Sequence, residues 1–263
     1  MGSAITPSYR PLLRNLVRRE VRQRYKGSIL GVAWTLVTPL VTVGAYWLVF
    51  RFLFGSPIPN YALFLFVGLT VWAFFYTGIQ AASVSITQNA SLVTKNSFPR
   101  EIIPISSIAA NGVTVIAMLV IAIPLCLIFR QGSLAPLIML PVIAVFLIAM
   151  TVGLGLLLSG LNVYFRDVSH ILTALAIPWF FITPIFYSFS TLPDLGGNQD
   201  TIVFVLHWVN FVSPYVIATQ DALFFGVWPG LADMVYCGIV GAVFLGVGLL
   251  AFRRMAREMA VEL

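Results

Sequence analysis

The stretch Asn89-Ala-Ser-Leu-Val-Thr-Lys-Asn-Ser-Phe-Pro-Arg-Glu-Ile-Ile-Pro104 is a polar island between two long apolar runs, residues 61–84 and 102–129. Each run exceeds the roughly 20 residues that a helix needs to cross a bilayer core. The island is too short to be a domain and too polar for hydrocarbon, so it reads as a short helix held at the membrane surface. Polar Asn89, Thr94, Asn96 and Ser97 suit a helix docked in a groove of a soluble protein, with Leu92 and Val93 as apolar anchors. Pro99 and Pro104 stop that helix and start the next span stiffly, so a push is transmitted rather than absorbed. Arg100 and Glu101 are placed to pair at the same interface. An ordinary solvated loop with membrane-edge charges is the alternative reading of these residues.

Outward from the island, four further windows could cross a bilayer: residues 30–50, 134–161, 171–186 and 234–252. None of the six contains Lys, Arg, Asp, Glu or His, in a chain of 263 residues that is 60% hydrophobic and only 9% charged. That composition belongs to membrane proteins. The expectation is an all-α integral membrane protein, a single domain over residues 1–263 with six transmembrane helices. The fifth window is short and should end in irregular structure enclosed by protein.

Six spans put both termini on one side, and 13 of the 15 basic residues then share it, leaving only Arg51 and Arg130 opposite. By the positive-inside rule both ends are cytoplasmic. The net charge of +6 is therefore a topology signal, and no basic folded surface exists to bind nucleic acid. Within residues 10–28, Leu13, Val17 and Val21 recur every four residues, and Arg14, Arg18 and Arg22 do so on a neighbouring stripe. This is an amphipathic interfacial helix, continued by Arg24, Tyr25 and Lys26 and broken at Gly27. Anchoring to anionic lipid and contact with a cytoplasmic partner both fit it.

The outer region 187–233 holds Asp194, Asp200, Asp221 and Asp233 but no Lys or Arg. Its apolar part, 202–217, is interrupted by His207, Asn210 and Pro214. Were that part a true span, Arg253, Arg254 and Arg257 would move outside, against the charge rule. Two short re-entrant helices, about 184–190 and 203–212, fit better.

Several functions are excluded by what is missing. Ion-driven carriers keep ionisable groups inside their spans, and none lies in these six windows. A phosphate-binding loop needs Gly-Lys-Ser/Thr, yet the only lysines are Lys26 and Lys95, and neither follows glycine. The chain therefore cannot hydrolyse ATP by that route, and if it does work the energy arrives through contact with another subunit. Cys126, Cys237 and the two histidines lack ligand spacing, so no metal site is expected. No catalytic residues are expected either, because Gly153, Gly155, Ser159 and Gly160 suit close helix packing better than nucleophilic chemistry. Aromatic clusters occur at Trp72, Phe74, Phe75 and Tyr76, and at Trp179, Phe180, Phe181, Phe186 and Tyr187. Their faces could stack on sugars, although membrane-interface enrichment explains many such residues.

Four segments carry a family resemblance. They are Arg24-Tyr25-Lys26-Gly27-Ser28-Ile29-Leu30-Gly31-Val32-Ala33-Trp34 with Pro39, the stretch from Leu92 to Pro104, Phe165-Arg166-Asp167-Val168, and Thr183-Pro184-Ile185-Phe186-Tyr187. Through them the chain resembles the membrane (permease) subunits of type-2 ABC exporters for cell-surface polysaccharide, which include O-antigen, capsule, teichoic-acid and galactan permeases. It departs from the pattern at Val212-Ser213-Pro214, where the family often has Asn-Pro.

The resemblance implies a transport subunit rather than an enzyme, paired with a second copy of itself and with a separately encoded ABC ATPase dimer. MgATP would be bound by that partner, leaving no cofactor in this chain. It implies a coupling helix at 87–98, with Asn89, Leu92, Val93, Lys95, Asn96, Phe98, Pro99, Arg100 and Glu101 meeting the ATPase. The interfacial helix, with Arg14, Arg18, Arg22, Arg24, Tyr25 and Lys26, would lie beside it near Trp34. A polyprenyl-linked glycan would leave through a channel between the two copies, with Tyr76, Phe186, Tyr187, His207 and Pro214 as channel or gate residues. The setting implied is the lipid of a bacterial inner (plasma) membrane, crossed several times with both termini cytoplasmic. Competing readings are a same-fold exporter of a drug or lipid, a membrane-embedded enzyme of glycolipid assembly, and a passive channel conducting without nucleotide.

Overall fold

The computed structural model describes residues 9–28, 31–53, 55, 57–95, 98–129, 132–189 and 199–256, and among these it contains helices and no strands. Helix α1 (Arg10–Tyr25) carries Pro11 in its first turn, where the missing N–H costs nothing. It ends before Gly27, which takes the left-handed φ of +80° that favours glycine. Residues 31–53 are helical in three pieces: a 3₁₀ turn, α2 (Trp34–Trp47), and a π-helical turn Leu48–Leu53. Then come α3 (Tyr61–Gln88), α4 (Ala90–Lys95), α5 (Ile102–Phe129), α6 (Leu140–Tyr164) and α7 (Asp167–Ile182). The chain closes with α8 (Gln199–Phe204), α9 (Ser213–Thr219) and α10 (Leu231–Met255).

Among the described residues four helices are long and apolar enough to cross a membrane: α3, α5, α6 with the turn before it (Ala135–Tyr164), and α10. The bent pair Gln199–Val209 and Ser213–Phe225 would make a fifth only if counted as one span. The expected first and fifth spans are shorter or interrupted. Helix α7 has 16 residues, about 24 Å at 1.5 Å per residue, against a core of about 30 Å. It begins at Asp167 rather than 171, and its C-terminal cap Thr183 is already extended at ψ 134° because Pro184 follows.

Helix α3 is the spine of the bundle, enclosed over most of its length. Gly68 is needed there, because a Cβ would lie 2.9 Å from Gln220 Nε2 and 3.4 Å from the Ile185 backbone. Both segments after α7 therefore dip into the bundle. Within the expected short helix at 184–190, residues 184–188 are not helical and Ser190 lies outside the described residues; 183–186 is irregular and buried instead. Helix α8 with its π turn and α9 with its π turn meet at an 88° bend around residues 210–212. Phe211 at that bend meets Phe75 and Trp179, deep along α3, with centroids at 6.0 and 5.3 Å. Phe224 and Phe225 at the far end of the second arm meet Phe64, near the start of α3. The hairpin is thus displaced along the chain from the expected 203–212, because Pro214 opens α9 rather than ending a helix.

Helices α6 and α10 approach at backbone distance. A Cβ on Gly153 would overlap the Phe244 carbonyl, one on Gly248 would overlap the Gly153 carbonyl, and one on Gly241 would lie 2.8 Å from the Phe146 oxygen. Small residues allow this proximity, and in a bilayer close packing replaces the hydrophobic effect as the glue. Gly155 likewise admits Ile108 and Ala82. Gly248→Leu should lower stability by about 3 kcal/mol through overpacking. Gly246→Ala, where a Cβ meets nothing within 4 Å, should leave it unchanged. Thermal unfolding midpoints in detergent read both.

Candidate functional site

Four helix ends converge at one end of the bundle: the end of α3 with α4, the start of α5, the end of α6 and the end of α10. Their side chains form a second apolar cluster, distinct from the main core, of Ile86, Val93, Ile103, Leu156, Val163 and Phe252. Phe98, Tyr164, Leu249 and Met255 pack on it. Helix α4 is thus wedged in place by its own apolar face.

Asn89 makes the corner between α3 and α4. Its side chain donates to the Ser85 carbonyl at 2.9 Å, and its own carbonyl accepts from the N–H groups of Leu92 and Val93 at 2.9 and 3.3 Å. It also accepts a hydrogen bond from Arg19 of α1. One turn along α5, the Ser107 hydroxyl donates to the Glu20 carboxylate at 2.6 Å. Helix α1 is therefore tied to both neighbours by its inner edge. Arg14, Arg18, Arg22, Arg24 and Lys26 remain exposed on its outer edge.

The last carbonyls of α10 have no partners within their own helix. Arg100 donates to the Ala256 carbonyl and the Tyr164 hydroxyl to that of Met255, at 3.0 Å for the latter. A cation at a helix C-terminus also complements the macrodipole. Arg253 Nε–H donates to Glu101 at 3.2 Å. Arg100 and Glu101 do not pair with each other, because each reaches across to α10. With Arg253 about half exposed, this ion pair contributes little, about 0.5 kcal/mol. It guides register; the apolar cluster supplies the hold.

Of the residues expected to face a partner, Val93 is instead 3% exposed and belongs to the internal cluster. The six-residue helix turns Ser91 and Thr94 fully outward, with Leu92 half-buried between them. The expected helix of 87–98 is shorter because Asn89 interrupts it at φ −115°. Asn96 and the side chains of Tyr25 and Lys95 lie outside the described residues. Phe98, Pro99, Arg100 and Glu101 are all half-buried at the joint. Trp34 is 45% exposed at the start of α2.

Of the expected channel and gate residues, Tyr187 and His207 both meet the Phe189 ring, with centroids at 5.9 and 5.3 Å. The Tyr76 hydroxyl donates to the Leu172 carbonyl at 3.2 Å, and its ring stacks on Trp72. Phe186 is buried among Tyr46, Phe50, Phe180 and Phe181. Tyr187 donates to the Ile182 carbonyl at 3.1 Å. His207 pairs with Asp233 at 2.6 Å, and Pro214 is buried in the first turn of α9.

Sequence reasoning overlooked Arg19, Glu20, Ser107, Tyr164 and Asn210. Glu20 carried a signal, being the only acid in the first 100 residues and set inside an Arg-rich helix. Asn210 was visible only as an interruption. In the structure it accepts from Trp179 Nε1–H at 3.0 Å and donates to the Thr183 hydroxyl at 2.9 Å, holding the end of α7 to the bend of the hairpin.

Comparison with known proteins gives a consistent result. Residues 11–224 match the ABC-2 type transporter family. An O-antigen export system permease protein RfbA from Myxococcus xanthus is 35% identical over 191 residues, covering 73% of this chain and 74% of the relative. Two proteins of the same name from Klebsiella pneumoniae are 30% and 29% identical over 184 residues, each covering 70% of this chain and 71% of the relative.

Val93→Asp should destabilise the protein by about 3 kcal/mol, because it buries a charge in the apolar cluster. Thr94→Asp, one residue on, should shift the unfolding free energy by less than about 0.5 kcal/mol. Unfolding midpoints in detergent distinguish the two faces of α4.

Proposed function

The chain belongs to the ABC-2 type transporter family, and from that premise we propose that it is the membrane permease subunit of an ATP-driven exporter of polyprenyl-linked polysaccharide. The observation that carries this reading is α4: a short helix wedged by Val93, braced through Asn89 to α1 and through Arg100 and Glu101 to α10, with Ser91 and Thr94 turned outward and Leu92 half-exposed between them. Such a helix transmits a push from a soluble motor to several spans at once, because it is seated against four helix ends.

In this reading residues 1–263 form one permease domain of six spans: 31–53, α3, α5, α6, α7 with the buried segment after it, and α10. Residues 199–225 form a re-entrant hairpin at the outer side. Both termini lie in the cytoplasm of a bacterial inner membrane, beside the exposed arginines of α1. Two copies enclose the channel, and a separately encoded ATPase dimer binds and hydrolyses MgATP. The relatives named for O-antigen export support a glycan as cargo.

The test is co-purification from detergent extracts of wild type, Leu92→Asp and Thr94→Asp. Wild type should be retained as a dimer with an ABC ATPase. Both variants should fold and dimerise yet lose at least about tenfold of the bound ATPase, as expected when a charge enters the centre of an interface. Wild type without ATPase, or variants that keep it, overturns the assignment of α4.

A further inference from the structure

A cavity of about 270 Å³ lies between α2, α3 and α5, with the exposed Arg24 and Trp34 at the end next to α1. It runs on to Trp72, near the middle of α3, and to Asn111 and Thr114, near the middle of α5. Its lining is polar although the helices that form it are mostly apolar. Thr42 and Thr77 give their hydroxyl hydrogens to the carbonyls of Thr38 and Ala73, one turn back in their own helices. The Thr38 and Thr114 hydroxyls make no hydrogen bond among the described residues, although a helical threonine has such a carbonyl within reach.

Two deeper groups carry the same signal. Asn111 and Trp72 are only 4% and 7% exposed. Asn111 gives its amide hydrogens to the carbonyls of Thr77 and Ser107, at 3.3 and 3.0 Å, and its oxygen accepts nothing among the described residues. Trp72 stacks on Tyr76, and its Nε1–H donates to nothing among the described residues. Neither atom is sealed inside protein, because the enclosed side-chain polar atoms without a partner among the described residues are Arg19 Nε and Gln220 Nε2. Both residues line the cavity, and it is there that the two atoms are reached. At hydrocarbon depth an unpaired polar group is costly, so the fitting occupant is polar.

We propose that this cavity binds one sugar ring of the transported glycan, its hydroxyls paired with Thr38, Thr114, the Asn111 oxygen and Trp72 Nε1–H, and its C–H surface against indole. A sugar ring carries hydroxyls around its rim and C–H groups on its faces, which matches a lining of hydroxyl, amide and indole. Indole serves both demands, with an apolar body and one polar handle. An acyl chain would leave the polar groups unpaired, and water alone would pair them but gain nothing from the rings. The space is smaller than sites for drug-sized ligands, so it takes one ring rather than a chain of them. Its end beside Arg24 and Trp34 faces the side from which cargo enters. The inference rests on the exporter reading and the topology proposed above.

The experiment is saturation-transfer NMR on the full chain in a sugar-free detergent. The probes are the methyl glycosides of glucose, galactose, mannose, rhamnose and N-acetylglucosamine, with glycerol as the control polyol. At least one glycoside should receive saturation on its C–H protons, and glycerol should not. Thr38→Val and Thr114→Val, which keep the side-chain shape, should each weaken that glycoside's apparent affinity about fivefold, the value of one neutral hydrogen bond. Thr114→Ser, which keeps the hydroxyl, should not. Trp34→Ala should weaken binding as well, whereas Trp228→Ala, at an exposed indole outside the cavity, should leave it unchanged. Transfer to none of the glycosides, equal transfer to glycerol, or affinity that survives both valine changes overturns the site. Loss of the dimer in either valine variant, read by light scattering, makes the cavity an interface between copies and overturns it too. ATPase co-purification from the same preparation separates the two readings. Glycoside binding without bound ATPase keeps the sugar site and overturns the exporter; bound ATPase without glycoside binding keeps the exporter and overturns the sugar site.

Discussion

A bilayer core offers no water, so every backbone N–H and C=O inside it must find a partner in the protein or cost several kcal/mol. Helices satisfy that demand by themselves. Where this chain stops being helical inside the bundle, side chains take over the work. Tyr61 donates to the carbonyl of Phe186 in the irregular segment after α7. Ser213 donates to the Leu206 carbonyl across the hairpin bend at 2.6 Å, and Asn210 accepts from the Val212 N–H at 3.3 Å. Buried polar residues therefore gather where the helices break, and they are structural before they are anything else.

The same demand shapes the opposite end. Helix α10 terminates among protein groups, and its last carbonyls take hydrogen bonds from Arg100 and Tyr164. That turns a helix end into a joint. Through it the start of α5 and the end of α6 are fixed to α10, while Val93 and Phe252 fill the space between them. At its other end α10 reaches the hairpin, through the Asp233 to His207 pair and the Tyr236 hydroxyl donating to the Trp208 carbonyl at 2.6 Å. Because Gly153, Gly241 and Gly248 let α6 and α10 touch at the backbone, the two behave as one stiff element. The surface helix α4 and the hairpin thus lie at the two ends of a continuous packed unit.

Much of the candidate site was legible in the chain. The polar island between two apolar runs located α4, the prolines marked where α5 would begin, and Gly27 marked the end of α1. The assignment of neighbours was not legible. Leu92 and Val93 are equally apolar, yet one is half outward and the other is enclosed by residues from four helices. Arg100 and Glu101 are adjacent and opposite in charge, yet both reach α10, more than 150 residues further along the chain.

What the sequence by itself determined is the class of protein and where along the chain α1 and α4 fall, because hydrophobicity and helix-breaking are local properties that can be read window by window. The tertiary structure alone decided which face of α4 turns inward and where the hairpin bends. Those outcomes depend on which helices cross and how closely. That is set by steric fit between distant residues, such as Gly153 against Gly248 and Gly68 against Ile185, and no single window contains both partners.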